Sequence, residues 1–344
     1  MGPIVPLTSA LAAAAALAAL AIAASFVRTD AARNADLWDV YQNHMKNVKY
    51  VDLTHDIRPG MPLWPKFEQP LFAPAPKAPP DRNPNNQQPF TYEKNGFVAS
   101  AFALMTDQMG TQLDPPAHWN EYGATISDVP PTVALRPLAV IDLSDEVARF
   151  PDHHASVADV LAWEEAHGRL PEGAVVCFRT DWSRKWDEYA RSGLPTVFPG
   201  VSLSTLRFLH ENRSILLHGH EPLDVDSTPT LEGEAWLMHH NYMQIEGLKN
   251  LHLLPATGAL VSIGFAKFKG GTGGLARIIA LCPPEWPHGK TVRELSGAPL
   301  PQQLAPLRRN KYGVLEPHYG AIPTAYCAHS SNEDEIRFGC PLPR

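Results

Sequence analysis

Seven short apolar runs limit what this chain can fold into more than any other feature: residues 48–54, 97–105, 138–143, 174–180, 214–218, 259–265 and 276–282, each bounded by Gly, Pro or Asp. Runs of this length with such boundaries read as β-strands. Helical patterns separate only some of them. Ser156 followed by Asp159 has the form of a capping box, Val157, Val160, Leu161 and Glu164 keep a helical period, and Gly168 is placed to stop a helix over 156–167. A second helix is predicted to start near Ser202 or Ser204 and to carry Leu203, Leu206 and Leu209, and a third to lie between Glu234 and Leu251. Several strand pairs are too close in sequence for helical crossovers. The pattern therefore predicts a mixed α/β domain with a single mixed sheet, not a regular doubly wound one.

Composition excludes several classes. Pro is abundant, 34 of 344 residues with 23 Gly, yet 44% apolar content is enough for a core, so the chain reads as loop-rich and folded. A formal charge of -7 with 29 dispersed basic residues offers no stripe for phosphates, which argues against nucleic-acid binding. Four Cys in a chain this long do not make a disulfide scaffold. Cys177 and Cys282 sit in strand-like runs and are expected to be buried thiols. Cys327 and Cys340 lie in a polar tail over 321–344 that a disulfide could close, although four Cys allow three pairings. Residues 7–27 are apolar, Ala-rich and uncharged, followed by Arg28. They read as an export signal, with an uncleaved N-terminal anchor as the alternative, and either places the domain over 36–320 in the periplasm or outside the cell. No later stretch is long and apolar enough to span a membrane. Residues 73–89 are crowded with Pro, Asn and Gln and predict a long surface loop, either a connector or a border to a site that Trp64 and Pro65 also flank.

The densest polar constellation runs from Asp107 to His118: Asp-Gln-Met-Gly-Thr-Gln-Leu-Asp-Pro-Pro-Ala-His. Gly110, Pro115 and Pro116 forbid a helix, so Gln108, Gln112, Asp114 and His118 could converge to hold a metal or a water, or form a turn in which Asp114 and Gln112 bond the backbone. Spacing alone leaves both open. His218, His220 and Glu221 follow a strand and either face the same cleft or form a hydrogen-bonded turn. His239 and His240 are adjacent in a helix-like stretch and point apart, and a surface or packing role fits them better than ligation. Trp64 and Trp119 are candidate walls for a planar substrate, or core. The glycine-rich run 267–274 lacks the Gly-Lys-Ser/Thr ending of a phosphate loop and reads as a turn, and no Gly-x-Ser-x-Gly elbow supports a serine hydrolase.

The segment over 107–118 resembles the signature His-x-Gly-Thr-His-x-Asp-x-Pro-x-His of the cyclase family, metal-dependent amide and lactam hydrolases. Gly110, Thr111, Asp114, Pro116 and His118 match it. Residues 51–55, 60–65, 178–182, 219–221, 244–251 and 267–277 follow the family pattern in order, so the resemblance extends over roughly residues 48–283. It implies a swivelling β/β/α fold, a homodimer or homotetramer, and a small-molecule substrate. By position, Asp114 matches a metal-ligating aspartate, His118 the general base and Glu246 a late glutamate ligand. Three histidine positions depart: Gln108 and Gln112 replace both signature histidines, and Glu234 stands twelve residues before Glu246. A centre of Gln108, Gln112, Asp114, Glu234 and Glu246 would be oxygen-rich and favour Mn²⁺, Mg²⁺ or Ca²⁺ over Zn²⁺; Mn²⁺ is the first choice, with Zn²⁺ or Mg²⁺ as the other candidates. The resemblance then implies hydrolysis of an amide, lactam or ester in a small, aromatic or planar substrate, with metal-bound water as nucleophile, His118 as base, and Trp64, Trp119, His220 and Glu221 against the substrate. The alternative is a catalytically impaired relative that binds a ligand without a catalytic metal.

Overall fold

A computed structural model describes residues 36–75, 89–292, 300 and 302–319. The apolar run 7–27, most of the loop 73–89 and the tail with Cys327 and Cys340 lie outside the described residues. The chain divides into two units at Val48. In the first, Asp36 caps a short exposed helix, Leu37–Val40, by accepting from the backbone N–H groups of Trp38 and Asp39. Among the described residues no helix is long and apolar enough to cross a membrane.

The second unit is built on one mixed sheet of eight strands: β1 (Lys49–Asp52), β2 (Gln112–Asp114), β3 (Leu135–Asp142), β4 (Val175–Arg179), β5 (Leu217–His220), β6 (Gln244–Glu246), β7 (Ala259–Phe265) and β8 (Gly274–Cys282). The strands run in the order β1-β8-β7-β3-β4-β5-β6-β2, and β2 also pairs with the start of β8, so seven of them close into a ring. Strands β3 to β6 are mutually parallel and the remaining pairings antiparallel. This is the mixed α/β architecture expected from the sequence.

Alternation of side chains across the strands divides the core in two. Leu113, Leu138, Val140, Val175, Cys177, Leu217, Ile245, Val261 and Ile278 join one cluster on one face of the sheet. Ala139, Ile141, Val176 and Phe178 point the other way and pack against three helices, α1 (Val157–His167), α2 (Leu203–Arg207) and α3 (Glu232–His239), through Val160, Trp163, Leu206 and Leu237. Cys177 and Cys282 are buried free thiols, as expected. The capping box holds: Ser156 Oγ accepts from Asp159 N, and Asp159 accepts from Ser156 N.

Three expectations are corrected. The helix expected over 234–251 stops at His239; Asn241 turns in the left-handed region (φ 60°) and the chain re-enters the sheet as β6. The run 97–105 forms a strand only over Ser100–Ala103, which pairs with Leu71–Pro74 in a small separate sheet. The segment around Gln112–Asp114 is not a turn but the fully buried strand β2, because Leu113 is drawn into the core between β6 and β8.

Gly247, directly after β6, has φ 62°, and a Cβ there would lie 2.3 Å from the Gly110 carbonyl oxygen. Only glycine lets the two loops approach. Gly247→Ala should lower unfolding stability by roughly 1–3 kcal/mol in urea; an unchanged midpoint would contradict this packing.

Candidate metal centre

Register decides which side chains meet. In the antiparallel pair β2–β6, Leu113 faces Ile245, Gln244 faces Asp114 and Glu246 faces Gln112; in the parallel pair β5–β6, Gln244 faces His218. Since Leu113 and Ile245 share one core cluster, their polar neighbours Gln112, Asp114, Gln244 and Glu246 all project from the opposite face. Glu234 reaches them from the first turn of α3. That helix starts on Leu231, held in the left-handed region (φ 47°), and Gly233 N donates to Asp226 Oδ2 at 2.9 Å. A Cβ on Gly233 would lie 2.8 Å from that oxygen, so glycine is needed for the helix to settle.

Asp114, Glu234 and Glu246 are buried, and one carboxylate oxygen of each lies within 4.8 Å of the others. Two amides bind them together. Gln112 Nε2 donates to Glu246 Oε2 (2.9 Å) and Asp114 Oδ2 (3.3 Å), while Gln244 Nε2 donates to Glu246 Oε1 (2.8 Å) and Glu234 Oε1 (3.0 Å). Asp114 Oδ1, Gln112 Oε1 and Gln244 Oε1 are buried acceptors without a donor. A set of carboxylate and amide oxygens with unfilled lone pairs fits a hard divalent cation.

Burial without compensation raises these acids. The Asp114 carboxyl is pushed up to about 7, chiefly by burial and against the hydrogen bond from Gln112. Glu234 and Glu246 are raised well above their usual range by burial and then by repulsion from Asp114. Such a cluster demands protons or a cation.

His118 ends a short 3-10 turn, Pro116–His118. Gln108 Nε2 lies 2.5 Å from His118 Nδ1 and donates to the Thr272 carbonyl at 3.2 Å. That carbonyl determines which end of the amide is nitrogen, so Nδ1 is the acceptor and Nε2 carries the ring proton, 3.5 Å from Glu234 Oε1. Burial lowers the pKa of the ring, leaving it neutral at neutral pH. Gln108 thus holds His118 instead of joining the carboxylates, in contrast to its expected ligand role. The turn 267–274 connects β7 and β8, as expected, and its Thr272 and Gly273 N–H groups donate to Asp107 Oδ2 at 2.7 and 2.9 Å.

Gln108, Gln112, His118, Glu234 and Glu246 line a cavity of about 280 Å³ whose apolar walls include Leu63, Trp64, Phe67 and Trp119, and Asp114 lies behind them. Both tryptophans line this cavity. His220 and Glu221, expected against the substrate, do not line it. His220 is buried behind Glu246, its Nε2 3.4 Å from Oε1. Glu221 alternates to the far face and accepts from Thr180 Oγ1 and Ser183 Oγ. His239 and His240 donate Nδ1–H to carbonyls one helical turn back and do not reach the site. Gln244, hidden by reading β6 as helix, belongs to the site although the sequence did not assign it, and Asp224, which the sequence places close to the cleft, lines the cavity.

Residues 51–227 match the sequence model of the Cyclase family. The chain is similar to isatin hydrolase of Roseibium aggregatum, 30% identical over 207 residues that cover 56% of this chain and 78% of that protein. Kynurenine formamidase of Bacillus anthracis is 22% identical over 223 residues, 61% of this chain and 82% of that protein. Among solved structures, an isatin hydrolase bound to the product analogue thioisatinate superposes with a TM-score of 0.60 at 26% identity, covering 72% of this chain and 96% of that one.

The acids set a pH dependence. Asp114 is protonated in folded and unfolded chains at low pH; between its ordinary 3.8 and about 7 only the unfolded chain ionises, so the metal-free protein loses stability as pH rises through that window. Glu234 and Glu246 act in the same direction. Chelator-treated protein should show a lower urea midpoint at pH 8 than at pH 5, and Asp114→Asn should flatten that fall by more than about 1 kcal/mol. A metal-free midpoint that climbs with pH would contradict the clustering.

Proposed function

The chain belongs to the Cyclase family, and on that premise we propose that it is a metal-dependent hydrolase of an amide, lactam or ester in a small aromatic substrate, working through an oxygen-only cation site. The observation that carries this reading is the convergence of Asp114, Glu234 and Glu246 beneath an aromatic-walled cavity. The three carboxylates would hold the ion, and Gln112 would join them by turning its unbonded Oε1 inward. Such a donor set suits Mn²⁺ best and Mg²⁺ next, and disfavours Zn²⁺. A bound divalent cation supplies water activation and carbonyl polarisation.

The remaining work falls to side chains of the cavity. Trp64 and Trp119 sandwich a planar group and exclude water from it. His118, neutral through burial, is the proton-transfer residue. To serve as base it must present a bare Nε2, which requires Gln108 to turn its amide so that Oε1 accepts Nδ1–H, giving up its bond to the Thr272 carbonyl. The proton taken by Nε2 then goes to the leaving nitrogen or oxygen. The apolar run 7–27 supports export of this hydrolase, and assembly as a dimer or tetramer belongs to the same proposal.

A second reading has support in the same geometry. With Gln112 and Gln244 turning N–H groups toward the carboxylates, the cluster can be satisfied by protons, giving a binding protein without a catalytic ion. Reconstitution of chelator-stripped protein with Mn²⁺, Mg²⁺ or Zn²⁺, assayed on isatin and an aryl formamide, separates the two. We expect Mn²⁺-dependent hydrolysis, with kcat lowered about 10²–10⁴-fold by His118→Ala. Hydrolysis with none of the ions would favour the binding protein. The double change Gln108→His/Gln112→His should move the metal preference toward Zn²⁺; an unchanged profile would show that Gln112 is not a ligand.

A further inference from the structure

Asp224 is bonded far less than its neighbour Asp226. It lies two residues from Asp226, whose oxygens accept from Thr228 N, Thr228 Oγ1 and Gly233 N and so anchor the start of α3. The Asp224 carboxylate accepts a single hydrogen bond among the described residues, from Trp64 Nε1 to Oδ2 at 3.2 Å, and the residue lines the cavity. Half-buried Asp224 has its carboxyl pushed up to about 7, chiefly by burial and against the Trp64 hydrogen bond, so its charged form is favoured by a donor entering the cavity.

Its position is also distinctive. A second, mostly apolar chamber of about 310 Å³, walled by Trp182, Leu194, Phe198 and Pro222, adjoins the main cavity, and the two share Trp64, Leu223 and Asp224. Asp224 thus stands at their junction. No Lys or Arg lines the main cavity among the described residues; Lys66, in the second chamber, lies 5.1 Å from the centroid of the Trp64 ring. A cation at Asp114, Glu234 and Glu246 would offset those three acids and leave Asp224 uncompensated.

We infer that Asp224 is a specificity-determining residue: it accepts from an N–H donor or cationic nitrogen on a planar substrate at the junction of the two chambers, and disfavours substrates carrying a carboxylate there. The inference rests on the reading that substrate occupies the main cavity. Trp64 performs two tasks in this arrangement, as a face for the ring and as the donor that aims the carboxylate.

The test is calorimetric binding of benzamidinium, benzamide and benzoate, three planar probes of one shape and different charge, to the full chain saturated with Mn²⁺. Benzamidinium should bind about tenfold more tightly than benzoate, with benzamide between them. Asp224→Asn, which keeps the shape, should abolish the advantage of benzamidinium while changing benzamide by less than about twofold. Benzoate binding as tightly as benzamidinium in the wild-type chain would overturn the inference without recourse to the variant, as would an unchanged preference in Asp224→Asn. Charge preference without hydrolysis of any amide would leave Asp224 assigned and remove the hydrolase reading. Hydrolysis without charge preference would do the reverse.

Discussion

The pairing of Leu113 with Ile245 across β2 and β6 is the contact on which the rest of the site depends. Both side chains belong to one core cluster, and a strand has a side-chain period of two, so Gln112, Asp114, Gln244 and Glu246 have no choice but to emerge together on the opposite face. A slip of one residue would turn the polar set into the apolar core and the apolar pair into the carboxylate cluster, a cost of several kcal/mol that guards the register. The glycines beside these strands serve the same end. Gly247 and Gly110 let the flanking loops approach backbone to backbone, and Gly273 keeps Gln108 from being displaced by a side chain.

From that register follows an electrostatic problem with a functional solution. Three carboxylates buried within 4.8 Å of one another cannot all be charged without compensation. The amides of Gln112 and Gln244 relieve part of the strain, since each donates to two carboxylates, but they leave three acceptor oxygens unbonded. A hard divalent cation satisfies the donors that remain. The residues that meet here, Gln112, Asp114, Glu234 and Glu246, offer a cation hard oxygen atoms, while Gln108 is turned away to His118.

Local signals were readable and long-range ones were not. The helix α1 announces itself because Ser156, Asp159 and Gly168 act within a single turn of their own backbone. Val175–Arg179, whose first four residues are apolar and buried on both faces, is equally plain as a strand. Asp114, His118 and Glu246 could be picked out by position in a signature. By contrast, β2 and β6 are three residues each, too short for a period to show, and their identity comes from partners far away in sequence. Misreading β6 as helix concealed Gln244, whose importance lies in its cross-strand neighbour Asp114. Glu221 was misplaced for a related reason: on a strand the residue after His220 points the other way. Asp224 differs from Asp226 only in what it fails to bond, which no sequence displays.

Whether oxygen alone holds the cation is read by pulsed electron paramagnetic resonance of the Mn²⁺-loaded protein. One Mn²⁺ per chain is expected, without hyperfine coupling to a directly bonded nitrogen, because Asp114, Glu234, Glu246 and the free Oε1 of Gln112 offer only oxygen. A nitrogen coupling typical of a ligating imidazole, from His118 or His220, would contradict it.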